Sequence, residues 1–542
     1  MGAQKPTVSK PMAAPRHVAI VGCGFTGTSA LHQLVESYPV RAVTIFEKTG
    51  DFGPGYPYRT WEAPDYLINN TADTMGIVPE NRRAFLRWLE GRPDLAPNPE
   101  PTGHYPRAFF GWFLKDAFEA AARGAETKGI ALHLVPQEVV DIEEMAEGVL
   151  LHGAEGETHA ADVAILTTGR CPDRDAYGPP KDGMTCRYYP SHIPGAVLDD
   201  VPLDATCHVL GASLSAYDAV NKLFAPDSGC RFERDAEGGL RFVANGNQRR
   251  VLLCSRSGRL KKMQSRHPGE IDRRHFTTER VKGLEREGRM TLERLAALAA
   301  EDAAAAGWNL DWEAMADPYA GCASAEAVTQ HAADILERDI AAARDAGDTL
   351  EKFKVDYLND AQIALWDAFA TGALSLDDEL AYRRHFETTL LTYFAACPIS
   401  TAERVLALIG AGRLEVRRGV TEVALNEVED CHDIATEHGV EKARVLINTT
   451  GSVDRRVASA AQAPVTARLR ERGLLRPYVK EGREMNGLAI DMESFLLEGS
   501  TRIYAANQFL WGPGFFVSSA YMMGTIVSRL FEQMFAAERA RG

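Results

Sequence analysis

Three glycines near the start of the chain have the spacing with which a backbone holds a pyrophosphate. Gly22, Gly24 and Gly27 lie in HVAIVGCGFTG, directly after an apolar strand and at the beginning of an apolar helix. The first allows a tight turn, the second lets backbone amides approach the phosphates, and the third lets helix and strand pack closely. Glu47 follows the next strand, where a carboxylate accepts ribose hydroxyls. The motif predicts a dinucleotide site, whose other members are Phe25, Thr26 and Lys48.

A second motif, CHVLGASLSAYDAV at 207–220, has a similar layout. It begins with Gly211, but Ser213 replaces the middle glycine, so its Cβ moves the backbone away from a phosphate while its hydroxyl, like that of Ser215, can donate to one. The next strand ends in Ser255 and Arg256 instead of an acid, and an arginine there accommodates the 2′-phosphate of NADP. We expect NADPH here in preference to NADH; an ordinary solvated basic loop is the alternative.

The loop after Glu47 carries a more specific pattern. FGPGYPYRT, residues 52–60, contains Gly53 and Tyr58 in a Phe-Gly-x-Gly-x-x-Tyr arrangement. With the blocks at 66–89, 105–121 and 390–416, it resembles the FAD/NAD(P)-binding proteins related to flavin-dependent monooxygenases of the amino-acid N-hydroxylating, nitrosuccinate-forming type. The resemblance implies FAD at the first motif. It also implies three FAD-pocket residues, with loop and helix-cap roles as the alternative for the asparagines: Asn69, Asn70 and Arg107.

Each motif is followed by a later strand that ends in Thr-Gly, at 161–169 and 442–451. We expect Thr168 and Gly169 to border the flavin. Before each closing strand, a stretch that is typical of a β-meander occurs at 131–142 and 413–425. A C-terminal block at 502–530 predicts a strand, a Gly/Pro-rich loop and a final helix, and its candidates near the flavin are Asn507, Gly514 and Phe515.

The two matching units predict an α/β protein with two Rossmann-like dinucleotide-binding domains and a helical insertion. Ala-rich, acidic segments with helical periodicity mark the insertion, which we expect to cover the core or make a dimer contact. The expected boundaries are 16–184 and 453–542 for the FAD domain, 185–276 and 395–452 for the NADPH domain, and 277–394 for the insertion.

Two Arg-Arg-His-Phe segments flank this insertion. If both ends return to one place, four guanidinium groups converge and suit a substrate with two carboxylates; interdomain salt bridging is the alternative. The candidate substrate-binding residues are Arg273, Arg274, His275, Arg383, Arg384 and His385.

Composition excludes several functions. The net charge of -15 argues against nucleic-acid binding, and we find neither a secretory signal nor a membrane span. The nine cysteines form no Cys-x-x-Cys, which favours a cytoplasmic protein without a redox dithiol or metal site.

We therefore expect an FAD- and NADPH-dependent monooxygenase that acts through a flavin hydroperoxide on a small amino acid such as aspartate, with dioxygen as co-substrate and a homo-oligomer as a possible state. The alternatives are a flavin reductase without oxygen insertion and a non-enzymatic redox sensor.

Overall fold

The computed structural model describes residues 15–174, 177–451 and 453–536. Its strands, in chain order, are β1 His17–Val21, β2 Ala42–Phe46, β3 Ala131–Val135, β4 Val139–Met145, β5 Gly148–Gly153, β6 Thr158–Ala161, β7 Val163–Leu166, β8 Arg187–Tyr189, β9 Thr206–Leu210, β10 Cys230–Arg234, β11 Leu240–Ala244, β12 Arg250–Cys254, β13 Leu414–Arg417, β14 Glu422–Asn426, β15 Cys431–Thr436, β16 Gly439–Ala443, β17 Val445–Asn448, β18 Pro477–Lys480, β19 Arg483–Leu488 and β20 Ile503–Ala505.

The α-helices, in chain order, are α1 Phe25–Ser37, α2 Ala84–Glu90, α3 Arg107–Thr127, α4 Leu214–Leu223, α5 Thr278–Arg286, α6 Leu292–Ala305, α7 Trp312–Ala316, α8 Ala325–Arg344, α9 Leu350–Asp360, α10 Gln362–Ala370, α11 Leu376–Ala381, α12 Glu387–Phe394, α13 Ile399–Gly410, α14 Pro464–Glu471 and α15 Ala520–Met534. A π-helical turn, Tyr382–Phe386, joins α11 to α12.

Two parallel sheets organise the chain. The first has the order β20-β7-β1-β2-β3 and the second has the order β13-β12-β9-β17-β8. β1 and β9 occupy equivalent central places, and both are almost completely buried because helices cover the faces of a parallel sheet. The predicted α/β class with two Rossmann-like units is confirmed.

Each parallel sheet carries an antiparallel meander before its closing strand. β4-β5-β6 precedes β7, and β14-β15-β16 precedes β17. The sequence interpretation placed the start of both meanders too early. Residues 131–135 and 414–417 pair in parallel with β2 and β12, and the meanders begin only after Pro136 and Gly419 interrupt the extended chain.

Helices α5 to α12 lie in the connection between β12 and β13, as the predicted insertion. Several of them begin at a side-chain oxygen that accepts a hydrogen bond from the first helical turn, the usual stabilisation of a helix N-terminus. These cap residues are Thr277, Thr291, Asp311, Ser324, Thr349 and Ser375.

The insertion packs against both nucleotide-binding regions, the first built on the sheet around β1 and the second on the sheet around β9. Trp366 and Phe369 of α10 belong to the same buried cluster as β1 and α15, whereas Val328 and Leu336 of α8 belong to the cluster around β9. This agrees with the expected covering role. Within the described residues, none of the helices combines the length and apolarity that a membrane crossing needs.

Candidate functional site

The first glycine motif forms a tight turn between β1 and α1. Gly22 has a φ of 102°, and a Cβ there would lie 2.6 Å from the carbonyl oxygen of Thr167, which only glycine avoids. A Cβ on Gly27 would lie 2.2 Å from the Gly22 carbonyl oxygen, so this glycine lets α1 pack onto the turn. These two glycines have the roles that the spacing predicts.

A second glycine loop covers the middle of the motif. A Cβ on Gly24 would lie 3.2 Å from the Cα of Gly55, and one on Gly55 would lie 2.7 Å from the Cα of Gly24. Gly53 has a φ of 116°, and its amide donates to the Cys23 carbonyl at 2.8 Å. Gly55 is a site residue that the sequence analysis missed, although the repeated glycine in FGPG is its signal.

Glu47 points back at the glycine turn from the end of β2. Its Oε2 accepts the backbone N–H of Cys23 at 3.0 Å, and its Oε1 accepts the amide and hydroxyl of Thr49. A carboxylate has about four lone-pair sites, so Glu47 keeps capacity for a ribose hydroxyl. Lys48 is exposed beside it. The bare backbone over Gly24 and this fixed acid fit an FAD pyrophosphate and ribose.

The other first-motif residues are mostly packing residues. Phe25 and Thr26 are buried at the beginning of α1, and Phe25 stacks on Phe110 of α3 with ring centroids 6.3 Å apart. Tyr58 meets the same Phe110 ring edge-on at 4.8 Å, and burial raises the pKa of its hydroxyl. A Cβ on Gly111 would collide with the Tyr58 carbonyl, so a glycine in α3 admits this loop.

The closing strand β7 meets the C-terminal loop beside this motif. Asn507 donates from Nδ2 to Thr168 Oγ1 at 3.2 Å, and the Gln508 amide donates to the exposed Gly169 carbonyl at 3.2 Å. The two segments that were predicted to border the flavin are therefore joined. Phe515 is 1% exposed and packs against Phe369, Tyr382 and Phe394, so its ring stabilises the contact with the insertion instead.

Gly514 lies between the insertion and the C-terminal loop. A Cβ there would come within 3.2 Å of both Met492 and Trp366. Its glycine is explained by this close packing.

The FAD-pocket residues implied by the resemblance connect the first nucleotide region to the second. Arg107 Nη2 pairs with buried Asp218 of α4 at 2.5 Å, and its Nε donates to the Leu67 carbonyl. Asn70 accepts from Gln264 at 3.2 Å, while the half-buried Asn69 hydrogen-bonds through its backbone to His104. Arg107 and Asn70 thus hold the two regions together.

The second glycine motif reproduces the first turn but leaves its middle position open. Gly211 has a φ of 115°, and a Cβ there would lie 2.9 Å from Thr449 Oγ1. Ser213 is the exposed N-cap of α4, its side chain makes no capping hydrogen bond, and Ser215 is half-buried behind it. Both hydroxyls remain available at the helix N-terminus, where an anion is favoured.

The basic segment after β12 divides into one exposed cation and several anchored ones. Ser255 Oγ accepts the Gly258 amide at 2.9 Å, which fixes the turn and leaves Arg256 exposed at its apex. Lys261 is buried and donates to the Leu391 carbonyl, and burial lowers its pKa to about 7. Lys262 pairs with buried Asp339 at 2.5 Å. Arg256 is thus the exposed cation of this segment.

The two Arg-Arg-His segments have different partners. Arg273 pairs with Asp360 at 2.8 Å, Arg274 pairs with Asp272 on the surface, and His275 Nδ1 lies 3.2 Å from Glu301. Arg383 donates to the Gly512 carbonyl at 2.5 Å, and Arg384 and His385 are exposed. The insertion supplies acids of its own to the first segment, so the predicted convergence gives way to the alternative of salt bridging.

A different set of arginines gathers beside the first motif. Arg455 is half-buried with its guanidinium 4.1 Å above the Trp511 ring, and among the described residues its buried Nε has no hydrogen-bond partner. Burial, opposed by Cys171 and Glu387 and reinforced by the positive charges of Arg383 and Arg170, lowers its pKa to about 10. Two further guanidinium groups lie over the Tyr56 ring: that of Arg59 is 4.3 Å from the ring centre, and that of Arg170 is 5.3 Å from it.

These residues come from segments that already border the motif. Tyr56 and Arg59 follow Gly55, Arg170 follows Gly169, and Trp511 follows Asn507. Their signal in the sequence was the arginine that comes soon after each closing Thr-Gly, at 170 and 455. We call Arg170, Arg383 and Arg455 the junction arginines. Arg170 pairs with Asp173 and Arg383 pairs with Glu387, so Arg455 is the member without an ion pair among the described residues.

One cluster on the second meander has residue types that bind metals. Glu429, Cys431 and Asp433 bring their ligand atoms within 4.8 Å of one another. Lys442 pairs with both carboxylates at 2.9 Å, so its ammonium already neutralises part of the negative charge that would attract a metal ion.

Comparison with known proteins agrees with the first motif. Residues 19–171 match the model of a family described as FAD-NAD(P)-binding. Residues 19–171 are thus similar to FAD/NAD(P)-binding domains, and the resemblance inferred from the motifs is confirmed.

Two curated proteins are similar over about half of the chain. The uncharacterized protein YdhS of Escherichia coli (strain K12) is 26% identical over 283 residues, which are 50% of this chain and 51% of YdhS. Nitrosuccinic acid synthase npaA of Aspergillus oryzae is 25% identical over 269 residues, 45% of this chain and 40% of that protein. The match therefore spans about half of YdhS and 40% of npaA.

A solved structure is similar over nearly the whole chain. The ornithine N-hydroxylase of Kutzneria sp. 744, in complex with FADred, NADP+ and L-orn, superimposes with a TM-score of 0.53 at 14% identity, covering 98% of this chain and 100% of that one. At this identity the likeness shows a shared fold.

Proposed function

We propose that this protein is an FAD- and NADPH-dependent monooxygenase that N-hydroxylates a small amino acid with two carboxylates, aspartate above all. The observation that carries the proposal is Arg455, a half-buried guanidinium with an unpartnered Nε, beside a motif that fits FAD. The names of the similar proteins, a nitrosuccinic acid synthase and an ornithine N-hydroxylase, support the same reaction class.

The first region would hold FAD. The Gly24 backbone would approach the pyrophosphate, and Glu47 would accept the ribose hydroxyls. When bound, FAD would supply the chemistry that accepts hydride from NADPH and activates dioxygen. Overall, one oxygen atom passes to the substrate nitrogen, the other leaves as water, and NADPH with one proton supplies the two electrons.

The second region would hold NADPH. The N-terminus of α4, with Ser213 and Ser215, would face the pyrophosphate, and exposed Arg256 would pair with the 2′-phosphate. The ties from Arg107 to Asp218 and from Asn70 to Gln264 would keep this region aligned with the first.

The junction arginines would bind the substrate. Two carboxylates would satisfy the unpartnered Arg455 Nε and neutralise the repulsion that Arg170 and Arg383 exert on Arg455. The positive field of Arg455, whose two neighbours are already paired with Asp173 and Glu387, disfavours an ammonium group, so it would help the amine lose its proton before it reacts. Ornithine and lysine carry one carboxylate and an extra cation, and they fit this field poorly.

The test is a screen of amino acids for NADPH oxidation and oxygen uptake by the purified flavoprotein. We expect aspartate to accelerate both and to yield a hydroxylamine, nitroso or nitro product, or nitrite from its breakdown. Turnover of ornithine or lysine with no response to aspartate would contradict the assigned substrate. NADPH oxidation that reduces an added acceptor without oxygen entering any product would instead identify a reductase.

A further inference from the structure

A cavity separate from the proposed reaction site lies between the second nucleotide region and the insertion. Its volume is 210 Å³, and it is lined by residues of the segment after β12 and of helices α7, α8, α9 and α12. Four cationic side chains line it, together with one carboxylate, that of Glu351: Arg259, Lys262, Arg338 and Lys354. Arg256, Gly211 and Ser213 are not part of the lining.

The charges around this cavity do not balance. Lys262 is neutralised by Asp339. Glu351 is shared, because Arg338 Nε and Lys354 Nζ each lie 3.9 Å from the same Oε1. Arg259 forms no ion pair with any carboxylate among the described residues, so the lining keeps an excess of two positive charges when His331 is neutral.

Arg259 is prepared for an anion. Its Nη2 donates to Thr388 at 2.9 Å and an Nη1 donates to the Ala316 carbonyl, which fix the guanidinium in place. Its Nε is buried and has no hydrogen-bond partner in the part of the chain that the structure describes. A buried donor without an acceptor destabilises the protein, and a bound anion would supply the missing acceptor.

The pKa of Lys354 reflects the burial and the positive charge of this cavity. Burial lowers its pKa, and the nearby charges of Lys262 and Arg338 lower it further against the attraction of Glu351. Tyr393 adds an aromatic face beside Lys262, with the ammonium 5.7 Å from the ring centre.

We propose that this cavity is a second anion site, which binds the phosphate dianion of a small molecule and ties the segment after β12 to the insertion. A dianion matches the excess charge, and tetrahedral oxygens can accept from Arg259, Arg338 and Lys354 together. The volume suits inorganic phosphate or a short phosphate monoester and is below the range of about 300 Å³ and more that is usual for larger ligands. The site does not depend on the proposed reaction.

The experiment is a calorimetric titration of the FAD-loaded protein with inorganic phosphate at constant ionic strength. We expect saturable binding that Lys354→Gln and Arg338→Gln each weaken by about tenfold or more, since each removes a charge-assisted contact. Glu351→Gln should tighten binding severalfold, because it increases the positive excess. Lys282→Gln, on the exposed face of α5, is the matched control and should change nothing.

Further titrations identify the ligand and test whether the cavity is instead part of the nucleotide site. Tighter binding of glycerol 3-phosphate than of phosphate would identify a monoester as the ligand, and equal or weaker binding would identify free phosphate. The proposal is overturned if phosphate does not bind saturably, or if Glu351→Gln weakens binding as the cation substitutions do. It is also overturned if NADP+ displaces phosphate while NAD+ does not, since the cavity would then hold the 2′-phosphate.

Discussion

The two nucleotide-binding regions share a frame and differ where a cofactor would touch it. In the first, Thr167 Oγ1 donates to the Gly22 carbonyl at 2.6 Å; in the second, Thr449 Oγ1 donates to the Leu210 carbonyl at 2.7 Å. In both, the first glycine of the motif has a positive φ and lies against the closing strand. This turn is a requirement of the strand arrangement, whichever nucleotide is bound.

The difference lies at the second position of the motif and at the end of the next strand. Gly24 is covered by Gly55, and Glu47 accepts the amide of the neighbouring Cys23. In the second region Ser213 is exposed, and Arg256 takes the place of the acid. The first region is therefore built to enclose a tightly held group, and the second to receive one from solvent. This contrast suits a resident FAD and an exchanging NADPH.

Gly24→Val should have the largest effect on this contrast. The added side chain would meet Gly55 and fill the space of the pyrophosphate, so FAD affinity should fall by about 100-fold or more, as a lost phosphate cradle combined with overpacking predicts. Flavin content after purification and FAD titration measure the change. Ser213→Val, the same side chain at the equivalent position, should leave FAD content unchanged. Full flavin content in Gly24→Val would remove FAD from the first region.

An arginine follows each closing Thr-Gly, Arg170 in the first region and Arg455 in the second. Arg455→Met tests whether Arg455 binds the substrate. The half-saturating concentration of aspartate should rise by about 10- to 100-fold, as expected for a lost charge-assisted contact. Flavin reduction by NADPH should change much less. Arg384→Met, an exposed arginine from the flank of the insertion, is the control and should have little effect. The reverse order of the two effects would restore the insertion segments as the substrate site.

Arg256→Ala tests the acid-to-arginine difference between the regions. It should weaken NADPH alone by about 1–3 kcal/mol and leave NADH unchanged, so that the preference between them narrows. Half-saturating concentrations for flavin reduction give the comparison, with exposed Arg241→Ala as the control. A preference for NADH in the natural protein would contradict this assignment.

The smallest effect should come from Ser213→Gly. Removing the Cβ lets the backbone approach a phosphate, but it also removes a hydroxyl that can donate to it. These effects oppose each other, and we expect the NADPH requirement to change by less than about fivefold. A loss as large as that from Arg256→Ala would show that the hydroxyl, and not the helix N-terminus, dominates phosphate binding.

The sequence predicted the frame well because the frame depends on local rules. A positive φ at Gly22 and Gly211, buried apolar strands and Thr-Gly closures are all visible in short segments. The prediction that residues 131–135 and 414–417 begin the meanders was wrong. A short apolar strand has the same sequence pattern in a parallel sheet and in a meander.

The substrate residues were harder to predict because they depend on how distant segments meet. Arg274 and Arg384 are distinctive in the sequence, yet both are exposed at the surface. Arg455 is ordinary in the sequence and becomes distinctive only when Trp511 and the chain near Arg170 enclose it. The Arg107–Asp218 pair was equally hidden, since its members are 111 residues apart.

Anaerobic reduction of the bound flavin tests the assignment of FAD to the first region and NADPH to the second. We expect that the purified protein carries FAD, identified after denaturation, and that NADPH bleaches its absorbance faster and at lower concentration than NADH. A protein that carries FMN or no flavin, or whose FAD neither nicotinamide nucleotide reduces, would contradict the assignment of the two regions to FAD and NADPH.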